Sequence, residues 1–302
     1  MDPDSPRLPP ELERLIFELA VQLHRPLAAT LARVASRVKE WVEAELYRVA
    51  IFRGCVGYDS ALRHEFPYKT GDALQARPHR YSDARAILIW DLPEDDEEDA
   101  FCQHATQLEE VALWQPEDDP STPKNYRVAT FISHLPIRSL SVTSLDALRP
   151  VLSSSGQLPL FTTLTHLSIL TVYCDNTVLL NLSTCHSLTH LAFHIDRKRW
   201  AEDGIIRLFE VHHRLSVLVL AESIDLEFAS RRVDPNAATR VYPGLPSHIL
   251  QRIVYVSFHH YMALDDWFDD IETADGIFGN ADAIMQERQT RETAAVASRA
   301  GA

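Results

Sequence analysis

A pattern of the form L-x-x-L-x-L, in which each L stands for an aliphatic or aromatic residue, recurs along the chain from residue 84 to residue 255. The first positions of successive copies are 24, 29, 27, 24, 27 and 35 residues apart, and this spacing is typical of a stack of short structural repeats. The five clear copies are Leu108-Val111-Leu113, Ile137-Leu140-Val142, Leu164-Leu167-Ile169, Leu188-Leu191-Phe193 and Leu215-Leu218-Leu220. Two weaker copies flank them, Ala84-Ile87-Ile89 and Leu250-Ile253-Tyr255.

The repeat predicts how the chain is stacked. A strand of four or five residues cannot bury its apolar side alone, whereas neighbouring repeats share one continuous core. A generic α/β domain would contain a few such strands, but it would not readily contain seven in series at this spacing. We therefore expect an irregular leucine-rich-repeat-like solenoid with a parallel sheet over residues 81–262, in which segments such as 201–211 return the chain from one strand to the next.

Alternation along each predicted strand assigns the residues between the apolar positions to the opposite, exposed face of the sheet. His166 and His190 occupy the same position in adjacent repeats, so we expect them to stack as neighbours in the ladder. Exposed tryptophan and apolar side chains on such a face are typical of a partner-binding patch, although loops or the C-terminal segment could instead cover it. The predicted face comprises Trp90, Trp114, His166, Ser168, His190 and His194, with Leu170, Val217 and Val219 beside them.

The first fifty residues have the periodicity of helices. Apolar residues at positions 12, 15, 16, 19 and 23 follow the spacing of one helix face, and a second apolar series runs from Leu27 to Leu46. These stretches predict a module of two or three helices over residues 8–52, too small to be comfortably stable alone. Periodicity does not decide whether the apolar face of the first helix packs inside the protein or docks on another protein.

Bulk composition restricts the partners. The net charge of −14 opposes attraction to nucleic acid and to anionic membranes, and no apolar run approaches the length of about 18 residues that spans a bilayer. We therefore expect a cytoplasmic or nuclear protein without nucleic-acid or membrane partners. The four cysteines, at positions 55, 102, 174 and 185, lack the spacing of a metal site or a disulfide framework, and we expect them to be free thiols.

No catalytic motif stands out in the sequence. A phosphate-binding glycine loop and a G-x-S-x-G elbow are both absent. His186 and His190 are four residues apart, but they lie across a loop and the start of a strand, where this spacing does not bring two side chains together. We expect no enzymatic activity in this chain, no metal and no cofactor.

The N-terminal module resembles an F-box. The similarity covers about 41 residues, and its elements are Leu8-Pro9-Pro10-Glu11-Leu12, Leu15-Ile16-Phe17, Leu27, Leu31, Val34-Ala35-Ser36-Arg37-Val38, Trp41 and Leu46-Tyr47-Arg48. They correspond in order to an L-P-x-E-(I/L) opening, an I-F pair, a central leucine pair, a V-(C/S)-(K/R)-x-W segment and a closing L-(W/Y)-R. His24-Arg25-Pro26 replaces the usual acidic residue before the central leucine, and extra length precedes Trp41. The whole chain is similar to fungal F-box-like proteins with irregular leucine-rich repeats.

This resemblance implies a substrate-recognition subunit of a Skp-cullin-F-box ubiquitin ligase. The F-box helices would dock on a Skp-type adaptor protein, and the repeat domain would hold a target protein. The implied adaptor-binding residues are Leu8, Pro9, Leu12, Ile16, Leu31, Val34, Val38 and Trp41. The alternative is a protein-interaction scaffold that is not part of a ligase, in which the F-box-like helices only cap the solenoid.

The remaining segments complete the expected domain organisation. We expect a disordered lead over residues 1–7, a connector over 53–80, a helical C-terminal cap over 263–288 and a disordered tail over 289–302. The expected fold class is therefore a combination of α+β and α/β, with a small helical module followed by a solenoid that contains a parallel sheet.

Overall fold

The structure is a computed structural model, and it describes residues 8–24, 27–52, 69–70, 78–89, 95–114, 123–143, 158–170, 182–195, 201–223, 232–233, 237–258 and 276–300. The chain divides into two compact units, residues 1–115 and residues 116–302. This boundary falls inside the region that the sequence predicts to be one repeat domain. The predicted lead over residues 1–7 lies outside the described residues, as do Cys55 and Cys174.

Unit 1 combines a helical start with a parallel sheet. Its described helices are α1 (Pro10–Leu23), α2 (Ala28–Leu31), α3 (Ser36–Tyr47), a 3₁₀ helix (Pro78–Asp83) and α4 (Asp95–His104). Its described strands are β1 (Val49–Phe52), β2 (Lys69–Thr70), β3 (Ala86–Ile89) and β4 (Glu110–Leu113). These strands pair in parallel in the order β2-β1-β3-β4.

The N-terminal helices form a small core of their own. Proline at the first helical position and two acidic residues in the first turn favour the start of α1. Val21, Ala28, Val38 and Val42 are buried together where α1, α2 and α3 meet. The Arg37 guanidinium donates to both carboxylate oxygens of Glu13 at 2.8 and 3.0 Å and joins α3 to α1.

The predicted helical module ends too late. Helix α3 ends at Tyr47, and residues 49–52 form strand β1, which pairs with β3. Apolar spacing from Leu27 to Leu46 continues into Val49 and Phe52 without a glycine or proline, so the sequence offers no break between helix and strand. The pairing with β3 decides the conformation because tertiary hydrogen bonds override weak local propensity.

Unit 2 is a sheet with short helices between its strands. Its described helices are α5 (Pro123–Ser133), α6 (Pro159–Thr163), a 3₁₀ helix (Leu182–Thr184), α7 (Glu202–Val211), α8 (Ala237–Val241), α9 (Ser247–Leu250) and α10 (Ile277–Ala300). Its described strands are β5 (Ser139–Val142), β6 (His166–Ile169), β7 (His190–Ile195), β8 (Val217–Ser223), β9 (Arg232–Val233) and β10 (Ile253–Phe258). The order is β5-β6-β7-β8-β10-β9, parallel except for β9 at the edge.

The seven strands predicted from the L-x-x-L-x-L copies are confirmed as β3, β4, β5, β6, β7, β8 and β10. Their register is confirmed as well within each unit. The residues that pair across neighbouring strands are 24 positions apart for β3 and β4, 27 for β5 and β6, 24 for β6 and β7, 27 for β7 and β8, and 35 for β8 and β10. These offsets equal the spacings of the sequence pattern.

One hydrogen-bond arrangement recurs at the start of the strands. The carbonyl oxygen of the residue before one strand accepts two backbone N–H groups from the next strand, one from the residue before that strand and one from its first residue. The Thr165 carbonyl, for example, accepts from Thr189 and His190 at 2.9 Å each. The carbonyls that accept in this way are those of Arg48, Arg85, Arg138, Thr165 and Thr189. This recurrence fixes the same register at each step.

The repeated leucine positions form one buried side of the unit 2 sheet, called here the inner face. Leu140, Leu167, Leu191, Leu218 and Ile253 occupy equivalent positions on five parallel strands, and each is fully buried. Ile205, Leu208 and Phe209 of α7, a return segment between strands, are buried as well. The core of unit 2 therefore follows the apolar positions of the repeat.

We expect Leu191→Ala to lower the free energy of unfolding of the full chain by about 2–5 kcal/mol, because it leaves a cavity in a fully buried layer of the sheet. Val296→Ala is the control: Val296 is 61% exposed on α10 and its truncation should change stability by less than about 0.5 kcal/mol. Urea unfolding followed by circular dichroism measures both. Equal, small effects of the two substitutions would contradict the assignment of the inner face.

Candidate protein-binding surfaces

The first candidate surface is an apolar stripe on α1. Leu12, Leu15, Ile16, Leu19 and Leu23 are 49–78% exposed. At 3.6 residues per turn these five side chains fall within about 100° of the helix circumference, nearly opposite the buried Val21. We call these five residues the apolar stripe. The apolar face that the sequence periodicity predicts for α1 is therefore the face that α1 exposes to solvent.

Further exposed apolar side chains lie near the stripe in the sequence. Among the described residues, ten large hydrophobic side chains are exposed, and eight of them lie between Leu8 and Val34. Leu8 precedes α1 and is 45% exposed, whereas Val34 follows α2 and is 61% exposed. Scattered exposed leucines are normal on a protein surface, whereas five on one face of a single helix are typical of an interaction site.

The predicted adaptor-binding residues divide into three groups. Leu8, Pro9, Leu12, Ile16 and Val34 are exposed. Leu31 and Trp41 are half-buried, and both pack against the small core between the helices.

Val38 is fully buried in that core, so its prediction as a surface contact is wrong. Helix α3 turns Val38 toward Val21, because positions 38 and 42, one helical turn apart, form the side of α3 that faces α1.

The second candidate surface is the side of the unit 2 sheet opposite the inner face, called here the outer face. Its side chains change from strand to strand: serine on β5, histidine and serine on β6, histidine and alanine on β7, valine and alanine on β8, and valine on β10. Its members are Ser139, Ser141, His166, Ser168, His190, Ala192, Val217, Val219, Ala221, Val254 and Val256. The sequence predicted this alternation correctly.

The outer face is not open where α10 lies on it, and the alternative that the C-terminal segment covers the face is confirmed there. Ile277, Phe278 and Ala281 of α10 are buried against the valines and alanines of β7, β8 and β10, with Ile284 and Met285 packed beside them. Without α10, the side chains of Val217, Val219 and Ala221 would expose a continuous apolar area to water. Burial of this area is favourable and accounts for the packing of α10 against it. The helix therefore covers the sheet surface, where the sequence predicted a cap on the last repeat over residues 263–288.

The other predicted residues of the open face also differ. Ser168 is 6% exposed and Trp114 is 5% exposed, so neither side chain is open to solvent. The Trp114 amide continues the β4 ladder by donating to the Ile89 carbonyl at 2.9 Å. Trp90 and the side chain of His194 lie outside the described residues. Helix α10 continues to Ala300, so the prediction of a disordered tail from residue 289 is also wrong. Its alanine-rich sequence has high helix propensity, which accounts for the continuation.

The predicted histidine ladder is confirmed. The imidazole rings of His166 and His190 lie parallel, with centroids 4.3 Å apart and planes inclined by 7°. Phe278 of α10 meets both rings edge-on, at 5.1 Å from His166 and 5.9 Å from His190. Asp282, one turn further along α10, lies with its Oδ1 2.9 Å from Nε2 of His190. The histidine pair is therefore the place where the start of α10 contacts the sheet.

A threonine hydroxyl lies against Nδ1 of each histidine of the pair. Thr165 Oγ1 lies 2.8 Å from Nδ1 of His166, and Thr189 Oγ1 lies 2.8 Å from Nδ1 of His190. Each hydroxyl also donates to the carbonyl that precedes the neighbouring strand, Thr165 Oγ1 to Arg138 and Thr189 Oγ1 to Thr165, at 3.1 Å in both cases. These two contacts of each hydroxyl fix the position of the adjacent imidazole ring.

Hydroxyl, imidazole and carboxylate follow one another here in the order that nucleophilic catalysis uses. The same threonine–histidine bond recurs one repeat earlier, between Thr165 and His166, with the same length. Because the bond repeats with the T-H-L sequence, it is a feature of the repeat. Its effect at His190 is to orient the ring toward Asp282 and so to fasten α10.

Burial, and after it the neighbouring His190, lower the pKa of His166 to about 4, while Asp282 acts in the opposite direction. A second positive charge is therefore unfavourable in the stack. At Cys185, burial raises the pKa of the thiol to about 12, partly offset by a hydrogen bond from Thr184, so this free cysteine is held as a thiol. Across the described residues, no group of three or more His, Cys, Asp or Glu side chains is arranged to hold a metal ion.

The end of the contact between α10 and the sheet depends on an arginine that the sequence did not single out. Arg288 donates through Nη1 to the carbonyls of Gln251 and Ile253 at 3.0 and 2.8 Å, at the start of β10. The sequence indicated the C-terminal segment as one possible cover of the outer face, but it did not identify the residues that make the contact. Phe278, Asp282 and Gln286 follow one another at intervals of four residues, but this spacing does not indicate which of the fourteen histidines they would contact.

We expect the stability of the chain to fall between pH 6.5 and pH 4. Because the pKa of His166 is about 4 when folded and 6.5 in the ordinary state, the unfolded chain binds a proton in this window that the folded chain does not. The loss amounts to at most about 3 kcal/mol, complete near the folded-state pKa. His166→Gln should flatten this part of the profile of unfolding free energy against pH, whereas replacement of the exposed His248 by Gln should not. An unchanged slope in His166→Gln would contradict this assignment.

No helix in the described ranges is both long enough and apolar enough to cross a membrane. Comparison with models of known protein families found no match to this chain, and comparison with curated proteins found no significantly similar sequence.

Proposed function

We propose that this protein is the substrate-recognition subunit of a Skp-cullin-F-box type ubiquitin ligase. In this proposal the N-terminal module docks on a Skp-type adaptor, and the repeat region binds a target protein. The observation that carries the proposal is the exposed apolar stripe on α1, which comprises Leu12, Leu15, Ile16, Leu19 and Leu23.

The stripe supports docking on another protein for a physical reason. A helix within a folded chain ordinarily turns its apolar face toward the core. Here the packed side of α1 has Phe17 and Val21, while the more strongly apolar side faces water. An exposed helix face of this kind fits a helix-in-groove interface, in which side chains at i, i+3, i+4 and i+7 serve as anchors. This is the mode of contact that the F-box resemblance implies.

The exposed residues revise the proposed adaptor contact. Leu8, Pro9, Leu12, Ile16 and Val34 remain in it. Leu15, Leu19 and Leu23 join them because they extend the same face of α1. Val38 is left out, because it belongs to the core that holds the three helices together.

We also propose that the parallel strands form the strand layer of irregular leucine-rich repeats. Three features of the described residues support this: the agreement of strand offsets with repeat spacing, the recurring pair of amides on one carbonyl, and the buried leucine positions of the inner face. The buried Cys185, three residues before Leu188, fits the cysteine-containing subtype of such repeats.

Catalysis in this proposal takes place elsewhere in the ligase. By binding the adaptor through one surface and the target through another, the chain raises the effective concentration of the target near the ubiquitin-conjugating enzyme. No bond-making residue of this chain takes part. The proposed activity requires a cytoplasmic or nuclear location.

A scaffold outside a ligase is the second candidate function. One observation favours it: within unit 1 the helices are built onto the first strands. Helix α3 ends two residues before β1, and Arg80 of the 3₁₀ helix bonds both Glu43 of α3 and Asp83. These contacts involve α3 and the 3₁₀ helix but none of the stripe residues, so a capping role alone gives no reason for the apolar residues of the stripe.

Binding to a purified Skp-type adaptor tests the proposal. We expect the full chain to bind an immobilised adaptor. The double substitution Leu12→Ala/Ile16→Ala should raise the dissociation constant roughly 30- to 1,000-fold, because each truncation of an anchor costs about 1–2 kcal/mol. Biolayer interferometry measures both constants. Val211→Ala, at an exposed valine of α7, is the matched control and should bind like the unmodified chain.

Two results would overturn the proposal. Failure of the intact chain to bind the adaptor leaves the scaffold as the better description. Adaptor binding that the double substitution does not weaken would instead remove the α1 stripe from the interface. Circular dichroism of the double variant should match that of the unmodified chain, since both side chains are about half exposed.

A further inference from the structure

The area of the outer face under α10 is an apolar surface with a defined shape. Its valines are Val217, Val219, Val254 and Val256, and two alanines, Ala192 and Ala221, lie among them. We call these six residues the valine face. All six are buried, and the side chains are short, so a helix can approach the backbone of the sheet closely. Strands β7 and β8 have paired neighbours on both sides, so a ligand cannot reach this surface by adding a strand.

Only the first half of α10 is in contact with the valine face. Ile277, Phe278 and Ala281 are buried, and Arg288 is the last half-buried residue. Every residue from 289 to 298 is exposed. The contact therefore spans about three helical turns of a helix of 24 residues.

The docked half of α10 is the half with the weaker intrinsic helix propensity. Gly279 and Asn280 lie in its first turn, where both disfavour helix relative to alanine, whereas the exposed half is rich in alanine. Asn280 Nδ2 compensates in part by donating to the Gly276 carbonyl at 2.7 Å. The docked segment thus depends on the sheet for its conformation more than the free segment does.

The contacts of α10 describe the kind of ligand that this surface accepts. An aromatic ring lies against the His166 and His190 imidazoles, a carboxylate four residues later meets Nε2 of His190, and small or aliphatic residues fill the space over the valines. A guanidinium ten residues after the aromatic reaches the carbonyls of Gln251 and Ile253.

We propose that the valine face is the site where this protein binds an amphipathic helix of a target protein, and that α10 occupies the site in cis in the free chain. The target helix carries an aromatic residue, an acidic residue four positions later and a basic residue ten positions later. The role of this site in selecting a target rests on the proposed function. The inference that one helix can replace another on the valine face depends only on the observed contacts of α10.

Because α10 occupies the valine face, another helix must bind with enough affinity to displace it. Seventeen residues, 259–275, join β10 to Gly276, so α10 competes at a high local concentration with any helix supplied by another protein. A target helix must therefore make better contacts than Phe278, Asp282 and Arg288 do. Two of these contacts, the edge-on ring and the carboxylate, lie at the histidine pair, so the pair is where competing helices differ most.

The first test uses the unmodified full chain. Hydrogen exchange of the amides of α10 from residue 277 to 288 should be faster than exchange in β7 and β8 by at least about tenfold, because the helix leaves the valine face without unfolding of the sheet. Equal protection of α10 and these strands would overturn the proposal, since the helix would then open only when unit 2 unfolds.

The second test measures exchange with a helix in trans. The probe is a fluorescein-labelled peptide of the sequence of residues 276–293, and its binding is followed by fluorescence anisotropy. Full-length Phe278→Ala, which weakens the cis contact, should bind the peptide at least about tenfold more tightly than the unmodified chain. Val296→Ala, at an exposed position of the free half, is the matched protein control.

A peptide that lacks the aromatic and acidic residues is the matched ligand control and should bind at least about tenfold more weakly. A Phe278→Ala chain that keeps its circular dichroism spectrum but does not bind the peptide would overturn the proposal. The outcome is separable from adaptor binding. If the peptide exchanges but the chain does not bind the adaptor, the valine face is a binding site of a scaffold protein. If the chain binds the adaptor but the peptide does not exchange, the ligase proposal stands and the valine face is not a binding site.

Discussion

The hydrogen-bond ladder between successive parallel strands is the interaction on which the rest of the structure depends. A carbonyl such as that of Thr165 accepts the amides of both Thr189 and His190, which leaves no freedom for a shift of one residue in the pairing. A shift would turn Leu191 from the inner face to the outer face and would separate His190 from His166. The ladder therefore determines the core, the histidine pair and the valine face together.

The repeat region was predictable because two independent signals agree. Alternation within each copy gives the buried and opposite faces, and the spacing of the copies gives the neighbour of each strand. The stacking of His166 on His190 follows from these two facts alone. Strand β1 was not predicted because Val49 to Phe52 continue an apolar series that also fits a helix, and only its partner β3 distinguishes the two conformations.

The candidate sites were less predictable, because sequence periodicity shows that a face is apolar without showing what covers it. The stripe of α1 and the apolar side of α10 have similar spacing, yet Leu12 and Leu15 face water while Ile277 and Phe278 are buried. The difference lies in the chemistry of the available partners. The valine face supplies an apolar surface for α10, whereas the packed side of α1 already satisfies the small core around Val21.

The two helices thus represent opposite solutions to the same physical problem. Each large apolar side chain left in water forgoes about 1.5–3 kcal/mol of burial free energy, so a stripe of five is unfavourable in a protein whose net stability is typically about 5–15 kcal/mol. The chain covers its valine face with its own C-terminal helix and leaves the stripe of α1 uncovered.

A surface kept exposed at that free-energy cost is best accounted for by a partner that is bound for most of the life of the protein. A surface covered in cis suits a partner that is bound only when its contacts exceed those of α10. In the proposed function the first partner is the adaptor and the second is the target protein.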